Sequence, residues 1–278
     1  MNIRNFNDWL LSIEKQSLIM GILNVTPDSF SDGGKYLEKN NAINHALAMI
    51  DNGADIIDVG GESTRPFSDP VSLDEEISRV IPVIEGIRKE SDVCISIDTT
   101  KSEVATAALN SGASLINDVS AMEVDPFMID VALKFDCPII IMHMKGTPKS
   151  MQDNPQYESL ISDIKDYLQE RVDFIVSKGV NSKKIVIDPG IGFGKTLDHN
   201  YTIMRKIENF KHLDLPILVG ISRKSLITKY LNIDKNDSLN ATTALNMYLL
   251  DKKINILRVH DVKEAKQCIM LHEKIKSS

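Results

Sequence analysis

The chain has 278 residues, of which 42% are hydrophobic, and its formal net charge is −7. A composition this rich in apolar residues can fill a core, which excludes an intrinsically disordered protein. The acidic balance and the lack of a basic run argue against nucleic-acid binding, and no stretch reaches the about 18 apolar residues that cross a bilayer.

The chain contains three cysteines, Cys94, Cys137 and Cys268, whose spacings match neither a CxxC motif nor a Cys/His metal site. We interpret them as buried thiols of a protein from a reducing compartment. The N-terminal segment carries charges at Glu14 and Lys15 and has no cleavage site of small residues, so it does not resemble a signal peptide. We therefore expect a cytoplasmic protein.

Eight short apolar runs recur along the chain and predict eight β-strands. Their apolar residues are consecutive and rich in β-branched side chains, a pattern typical of parallel strands that are buried on both faces. The runs occupy residues 18–23, 56–59, 94–97, 115–116 with Val119 nearby, 138–142, 185–187, 217–219 and 254–259.

Amphipathic segments separate these runs and predict helices. In residues 73–90, apolar side chains recur at spacings of three and four, and Ser72 with Glu75 predicts a capping box at the start. Further helices are predicted over residues 102–111, 126–134, 157–178, 200–210, 238–250 and 262–275.

Eight strand–helix units in series predict an α/β protein with the (β/α)8 TIM-barrel fold. We expect a single domain over residues 1–278, with its core in 18–275, because no Gly/Ser linker divides the chain. An open doubly wound sheet is the alternative, but it would need a phosphate-binding fingerprint that does not follow the first run. The segment Gly-Phe-Gly-Lys at 192–195 is too short for a P-loop.

Polar residues follow all eight predicted strands, where a barrel of this kind carries its active site. Because charges left unpaired in such a position would cost several kcal/mol each, we expect one shared polar pocket. Asp58, Glu62 and Asp118 could instead support loops, and His143 is expected to pack or form hydrogen bonds rather than to bind metal. The strand ends carry Asn24, Asp58, Glu62, Asp98, Asn117, Asp118, His143, Asp188, Lys224, Arg258 and His260.

Several of these segments resemble the motifs of the dihydropteroate synthase family. MGILNVTPDSFSDGG at 20–34 resembles the first signature of the family, and DVGGESTRP at 58–66 resembles the second. Six shorter motifs follow in the same order as in the family: SIDT at 96–99, INDV at 116–119, MHMKG at 142–146, DPGIGFGK at 188–195, GISRKS at 220–225 and RVH at 258–260. The resemblance covers roughly residues 18–275.

This resemblance implies a transferase of folate biosynthesis that is a target of sulfonamides. The family joins 6-hydroxymethyl-7,8-dihydropterin diphosphate to p-aminobenzoate, forms 7,8-dihydropteroate, releases diphosphate and uses Mg²⁺. It is usually a homodimer, and we expect helices 238–250 and 262–275 to provide the dimer surface. No membrane and no nucleic-acid partner is expected.

The resemblance also assigns roles to individual residues. Asp98, Asn117 and Asp188 would recognise the edge of the pterin, which presents N–H donors to carboxylate and amide oxygens. Lys224 would donate toward the pterin carbonyl and N5, and Met142 would lie against the pterin face. Gly220 would also contact substrate.

The diphosphate would be bound by Arg258, which can grip it with two N–H groups, and by His260. Asn24 would be the protein ligand of Mg²⁺. The catalytic residues would be Asp98, Lys224, Arg258 and His260. The aminobenzoate pocket would be lined by Phe30, Thr64, Arg65, Pro66, Phe193, Lys224 and Ser225. One departure from the family is Phe67, where glycine is most common, and it leaves the shape of the second loop open.

Three other functions compete with this interpretation. A pterin-dependent methyltransferase would share the barrel and the Asp/Asn set but would not need Arg258 and His260 for a diphosphate. A non-catalytic pterin-binding protein would be expected to lose the loops after the first two strands, whose motifs are complete here. A barrel serving only as an interaction scaffold would leave the polar strand ends unexplained.

Overall fold

The computed structural model describes residues 1–26, 35–63, 69–147 and 149–277 and confirms the predicted (β/α)8 barrel. Its strands are β1 (Leu18–Asn24), β2 (Ile56–Gly60), β3 (Cys94–Asp98), β4 (Leu115–Asp118), β5 (Ile139–Met142), β6 (Ile185–Asp188), β7 (Leu218–Val219) and β8 (Ile256–Val259). The helices in these ranges are α1 (Ile3–Leu11), α2 (Lys35–Asp51), α3 (Leu73–Glu90), α4 (Ser102–Asn110), α5 (Met128–Phe135), α6 (Leu160–Ser177), α7 (Leu197–Arg205), α8 (Ser225–Leu231), α9 (Leu239–Asp251) and α10 (Val262–Lys276).

The eight strands form one parallel sheet in the order β6-β5-β4-β3-β2-β1-β8-β7. The barrel closes between β6 and β7 through a single parallel bridge, which joins Ile187 to Ile217. There the Ile187 amide donates to the Pro216 carbonyl at 2.9 Å. None of the helices in the described ranges is both long enough and apolar enough to span a membrane.

Both faces of the strands are buried, which explains why the apolar runs are consecutive. Successive side chains of a strand point to opposite faces. The outward residues, such as Ile19 and Ile57, pack against the ring of helices. The inward residues near the strand starts form a separate apolar layer, made of Leu18, Met20, Ile56, Cys94, Leu115, Ile140, Val186, Leu218 and Ile256.

This inner layer becomes polar toward the carboxyl ends of the strands. Asp58, Asn117, Asp188 and Arg258 each stand two residues after a member of the apolar layer. Because the side-chain period of a strand is two, all four share the inward face of the barrel. The fold therefore collects these polar side chains above an apolar base.

Helix α1, which was not predicted from the sequence, closes the base of the barrel. Phe6, Trp9 and Leu10 pack into the inner apolar layer, and the Trp9 indole N–H donates to the Gln16 carbonyl at 2.8 Å. The chain enters the structure at the same place, since the Cys94 amide donates to the Met1 carbonyl at 2.7 Å.

The other helices agree with the predictions except in a few places. The predicted helix 200–210 divides into α7 and a 3₁₀ helix over Ile207–Leu213, and α2 and α8 were not predicted. The Ser72 hydroxyl accepts from the Glu75 amide at 3.3 Å, which confirms the side-chain cap of α3. His199, interpreted from sequence as a surface residue, completes a capping box with Thr196 at the start of α7.

We expect Phe6→Ala to lower the free energy of unfolding by about 3–5 kcal/mol, because the ring is 0% exposed and its removal leaves a cavity in the base. Urea denaturation followed by far-UV circular dichroism would measure the loss. The matched control is Phe127→Ala, where the ring is 66% exposed and the expected loss is below about 1 kcal/mol. Equal losses in the two variants would show that α1 is not part of the core.

Candidate active site

A cavity of about 560 Å³ opens at the carboxyl ends of the strands. It is lined by residues from β1, β3 and β8 and from the loops after β6 and β7. The predicted site residues in its wall are Asn24, Asp98, Phe193, Gly220, Lys224, Ser225, Arg258 and His260. The fold therefore brings together residues that are more than 230 positions apart in the sequence, as Asn24 and His260 are.

The remaining predicted site residues lie in two other places. Asn117, Met142 and Asp188 are buried on the inward ends of β4, β5 and β6. The predictions for Phe30, Thr64, Arg65 and Pro66, and the departure at Phe67, fall on residues 27–34 and 64–68, outside the described residues.

We call the inward polar residues Asp58, Asp98, Asn117, Asp188 and Arg258 the floor of the site. At its centre, the guanidinium of Arg258 forms an ion pair with two carboxylates. Arg258 donates from Nε to Oδ2 of Asp58 at 2.6 Å and from Nη2 to Oδ2 of Asp98 at 2.7 Å. The same Asp58 oxygen accepts from Nδ2 of Asn117 at 3.1 Å. Four polar residues from β2, β3, β4 and β8 thus form one hydrogen-bonded network across the inside of the barrel.

Sequence reasoning underestimated Asp58, which it interpreted as a support for loops. The structure places the carboxylate at the junction of Arg258 and Asn117. The other oxygen of Asp58, Oδ1, is buried and has no hydrogen-bond partner in the described part of the chain. The same holds for the hydroxyl of Ser96, which is the residue paired with Asp58 between β2 and β3. The alternation of side chains along a strand could have indicated this position, because Asp58 stands two residues after the inward-facing Ile56.

Burial shifts the pKa values of the site toward neutrality. Burial raises the pKa of Asp98 to about 7, with Arg258 opposing the shift and Asp58 and Glu76 adding to it. Burial lowers the pKa of Lys224 to about 8, although Asp188 opposes that change. An acid and an amine that titrate within this range are common at catalytic sites and less common in structural ion pairs.

For Arg258 and Asp188, burial opposes the charged form and neighbouring charges favour it, with opposite results for the two groups. Burial acts against the charge of Arg258, but Asp58 and Asp98 outweigh it and raise the pKa of the guanidinium. Burial raises the pKa of Asp188, and the charge of Lys224 is the largest influence that opposes the rise. The site therefore combines a guanidinium that keeps its charge with two carboxyl groups, Asp98 and Asp188, whose pKa values burial raises.

Lys224 immediately precedes α8, and its side chain reaches inward, as the sequence predicts. Its Nζ donates to the Ile191 carbonyl at 2.6 Å and stands 4.7 Å from the centre of the Phe193 ring. Ser225, the next residue, is the first of α8 and is exposed at the cavity mouth. Amine and ring together form one wall of the cavity.

His260 and the start of α10 form the opposite rim. The His260 amide donates to the Ser222 hydroxyl at 3.2 Å, and the ring Nδ1 lies 3.0 Å from the same oxygen. α10 begins at Val262, so its first amides lie beside His260, as predicted. A helix start next to Arg258 and a histidine is suited to an anion.

Asn24, the last residue of β1, is the only predicted metal ligand. Its amide oxygen is a hard donor of the kind that Mg²⁺ accepts. Among the described residues, no group of three or more His, Cys, Asp or Glu side chains could hold a metal ion.

Asp118 has the supporting role that the sequence left open for it. Its carboxylate accepts from the Ser120 amide and hydroxyl at 2.7 and 2.6 Å and from the Met122 amide at 3.1 Å. These bonds hold a turn in which Ala121 and Met122 have φ values of 52° and 62°. Asp118 therefore shapes the loop after β4.

Glu62 and His143 also make protein contacts. Lys101 forms ion pairs with both Glu62 and the buried Glu76, which fixes the base of the second loop. His143 lies against the Tyr167 ring at 5.0 Å, and burial, together with Lys195, lowers the pKa of the imidazole to about 3. A neutral, packed ring agrees with the interpretation made from sequence.

The comparisons with known proteins agree on one family. The profile of the pterin binding enzymes matches residues 20–260. The chain is 43% identical over 255 residues to the dihydropteroate synthase of Escherichia coli K12, covering 92% of this chain and 90% of that protein. It is 47% identical over 254 residues to the dihydropteroate synthase of Bacillus subtilis 168, covering 91% and 87%.

Solved structures show the same similarity. The Yersinia pestis dihydropteroate synthase in complex with a sulfonamide drug is 41% identical, with a TM-score of 0.90 and 95% of each chain covered. The Xanthomonas albilineans dihydropteroate synthase in complex with 7,8-dihydropteroate is 32% identical, with a TM-score of 0.86 and 95% of each chain covered.

We expect Arg258→Met to destabilise the protein by about 3 kcal/mol near pH ~8.5, because Asp58 and Asp98 lose their shared counter-ion. The loss should be smaller near pH ~6. Without Arg258 the pKa of Asp98 rises further above its unfolded value, so the contribution of this group is present at low pH and is lost as the pH rises through the folded pKa. Urea denaturation at the two pH values measures both losses.

The control for this variant is Arg223→Met, which removes a more exposed ion pair with Asp261 at the same rim. We expect it to cost no more than about 1 kcal/mol at either pH. A loss in Arg258→Met that is the same at both pH values would contradict the interpretation of the floor.

Proposed function

This chain belongs to the family of pterin binding enzymes, as a dihydropteroate synthase, and we propose that it divides its reaction between the floor and the rim of the cavity described above. The enzyme is a transferase that joins 6-hydroxymethyl-7,8-dihydropterin diphosphate to p-aminobenzoate and releases diphosphate. The observation that carries the proposed division is that the acceptor Asp98 lines one cavity together with the cations Lys224 and Arg258. Asp58 connects Arg258 to Asn117, a second group proposed to bind the pterin edge.

The floor suits the pterin edge. Nδ2 of Asn117 donates to Asp58, which turns its carbonyl oxygen toward other donors. One oxygen of Asp188 accepts from the Gly190 amide at 2.7 Å, which fixes the orientation of the carboxylate. With Asp98 these groups offer oxygens to the 2-amino and ring N–H donors of a pterin. Met142, buried at the end of β5, would lie against the pterin face.

The rim suits the diphosphate. Arg258 keeps its charge because Asp58 and Asp98 stabilise it, and a guanidinium has five N–H groups, more than these two bonds use. His260 and the first amides of α10 lie on the same side. Arg258 would therefore hold the pterin floor and the leaving group in fixed relation, which is a form of preorganisation.

The charges favour a path in which diphosphate leaves first. The C–O bond of the pterin methylene breaks, and its electron pair leaves with the diphosphate. The cation that remains is delocalised into the ring beside Asp98 and the other floor carboxylates. The amine lone pair of p-aminobenzoate then forms the C–N bond, and the positively charged nitrogen that results gives one proton to water. Because an aromatic amine is weakly basic, this path requires no strong general base.

The aminobenzoate would bind against the wall formed by Phe193, Lys224 and Ser225. The Phe193 ring supplies an apolar face, and the Lys224 amine lies over it. The other four residues assigned to this pocket by resemblance, at 30 and 64–66, lie outside the described residues.

We also propose magnesium as the cofactor, with Asn24 as its protein ligand. The support is the position of this amide in the cavity wall and the hard oxygen that it offers. When bound, the ion would neutralise charge on the diphosphate. The residues of the chain would still orient the pterin and hold the leaving group.

A homodimer, a cytoplasmic location and a single domain over residues 1–278 complete the proposal. Apolar side chains on α9 and α10 support the dimer: Tyr248, Met270, Leu271 and Ile275 are exposed on helices that pack together. The three free thiols Cys94, Cys137 and Cys268 are compatible with a reducing compartment.

The reaction can be tested by diphosphate release. We expect sustained release, over many turnovers, only when both 6-hydroxymethyl-7,8-dihydropterin diphosphate and p-aminobenzoate are present, and a loss of release when EDTA removes magnesium. Omitting one substrate at a time is the control, and the product is identified as 7,8-dihydropteroate by mass spectrometry. In a single turnover, diphosphate loss that depends on the amine would argue against the path in which diphosphate leaves first. Sustained release without the amine would favour hydrolysis over transfer.

The pKa of Lys224, lowered to about 8, predicts a pH dependence of kcat/KM. Lys224 loses its positive charge as the pH rises through this value, so kcat/KM for the anionic pterin substrate should fall on the alkaline side, since this parameter reports the free enzyme. Lys224→Arg should give a lower kcat/KM without this alkaline fall, because a guanidinium stays charged. An unchanged alkaline fall in Lys224→Arg would assign it to another group.

The dimer can be tested at Leu271, which is 60% exposed on α10. We expect Leu271→Glu to change the sedimentation coefficient from that of a dimer to that of a monomer, because it places a charge in an apolar interface. Leu231→Glu on α8, where the side chain is also exposed, is the matched control and should remain a dimer. A monomeric parent protein at micromolar concentration would contradict the proposal.

A further inference from the structure

The loop between β6 and α7 lies directly on the backbone that follows β5. Gly190 and Gly194 in this loop have φ values of 72° and 64°. A Cβ at Gly190 would stand 1.9 Å from the His143 carbonyl oxygen, and one at Gly194 would stand 2.3 Å from the Lys145 carbonyl oxygen. Two backbone segments in such close contact enclose carbonyl groups that need donors.

Lys195 supplies donors to this enclosed layer. Its side chain is 2% exposed, and Nζ lies 2.9 Å from the Phe193 carbonyl oxygen and 3.3 Å from the His143 carbonyl oxygen. The same amine lies 2.9 Å from Nδ1 of His143. Burial lowers the pKa of Lys195 well below its usual range, although Asp188 opposes the change. The amine therefore connects the end of β5 to the loop after β6.

That loop carries groups that form the active site. Asp188 stands at its start, and the Ile191 carbonyl accepts from Lys224 at 2.6 Å. The Phe193 ring lies 4.7 Å from the same Lys224 amine. A movement of the loop would therefore displace a floor carboxylate, the aromatic wall and the acceptor that holds Lys224.

We propose that Lys195 is a positioning residue of the synthase reaction. Its buried amine fastens residues 190–193 to the end of β5, which sets the Ile191 carbonyl and the Phe193 ring against Lys224. The inference rests on the proposed function and adds a residue that touches no substrate. It also explains the Gly-Phe-Gly-Lys segment at 192–195, whose lysine bonds to protein carbonyls and is not part of the cavity wall.

The test compares Lys195→Met with Lys184→Met. Both variants remove an amine that bonds to a backbone carbonyl. Lys184, however, directly precedes β6 and bonds to the carbonyl of Asp136, at the opposite end of the barrel. Kinetics are measured on protein that urea denaturation shows to be folded. We expect kcat/KM of Lys195→Met to fall roughly 10- to 100-fold and that of Lys184→Met to stay unchanged.

The pH profile distinguishes positioning from a purely structural role. If the loop moves, Lys224 loses an acceptor and an aromatic neighbour that both favour its ammonium form. The alkaline fall of kcat/KM in Lys195→Met should therefore move to lower pH. A variant that only lowers stability would keep the profile of the parent protein.

Several outcomes overturn the proposal. It fails if Lys195→Met keeps both the kcat/KM and the pH profile of the parent, or if Lys184→Met shows the same changes. If Lys195→Met does not fold, Lys195→Gln, which retains an N–H donor on a shorter chain, should show an intermediate loss, and parental kinetics in it would overturn the proposal. A parent protein that forms no dihydropteroate would instead overturn the proposed function.

Discussion

Compensation of charge beneath the barrel mouth is the constraint on which the site depends. Arg258 lies between Asp58 and Asp98 in a largely buried layer, and an isolated charge in such a layer would cost several kcal/mol. The guanidinium stabilises both carboxylates, and Asp58 in turn orients Asn117. The groups that we propose to recognise substrate are therefore also groups whose pairing stabilises the folded barrel.

The barrel could be predicted from sequence because its strands are buried on both faces, which produces apolar runs that stand out at regular intervals. The helices that were not predicted lack such a signal. α1 is short, and its partner surface, the inner apolar layer, exists only once the barrel has closed. α2 buries Ala42, Ala46 and Met49, and small residues give a weak periodic pattern.

The sequence predicted that these polar residues lie together at the carboxyl ends of the strands, but it did not predict which of them form hydrogen bonds with one another. Asp98, Asn117, Asp188 and Arg258 could be placed on the inward face because a strand alternates its side chains. Which carboxylate meets Arg258 depends on the stagger between strands, and the Arg258–Asp58 bond joins residues 200 positions apart. A local pattern holds no information on such a pairing.

Helix α1, which closes the base of the barrel, also gives this enzyme a single tryptophan fluorophore. Trp9 is the only tryptophan of the chain, and it lies in the base of the barrel, at the opposite pole from the cavity. Its emission therefore reports the packing of α1 against the base of the barrel. In a single sample, tryptophan fluorescence can follow unfolding at the base of the barrel, while the intrinsic fluorescence of a pterin reports its binding in the cavity.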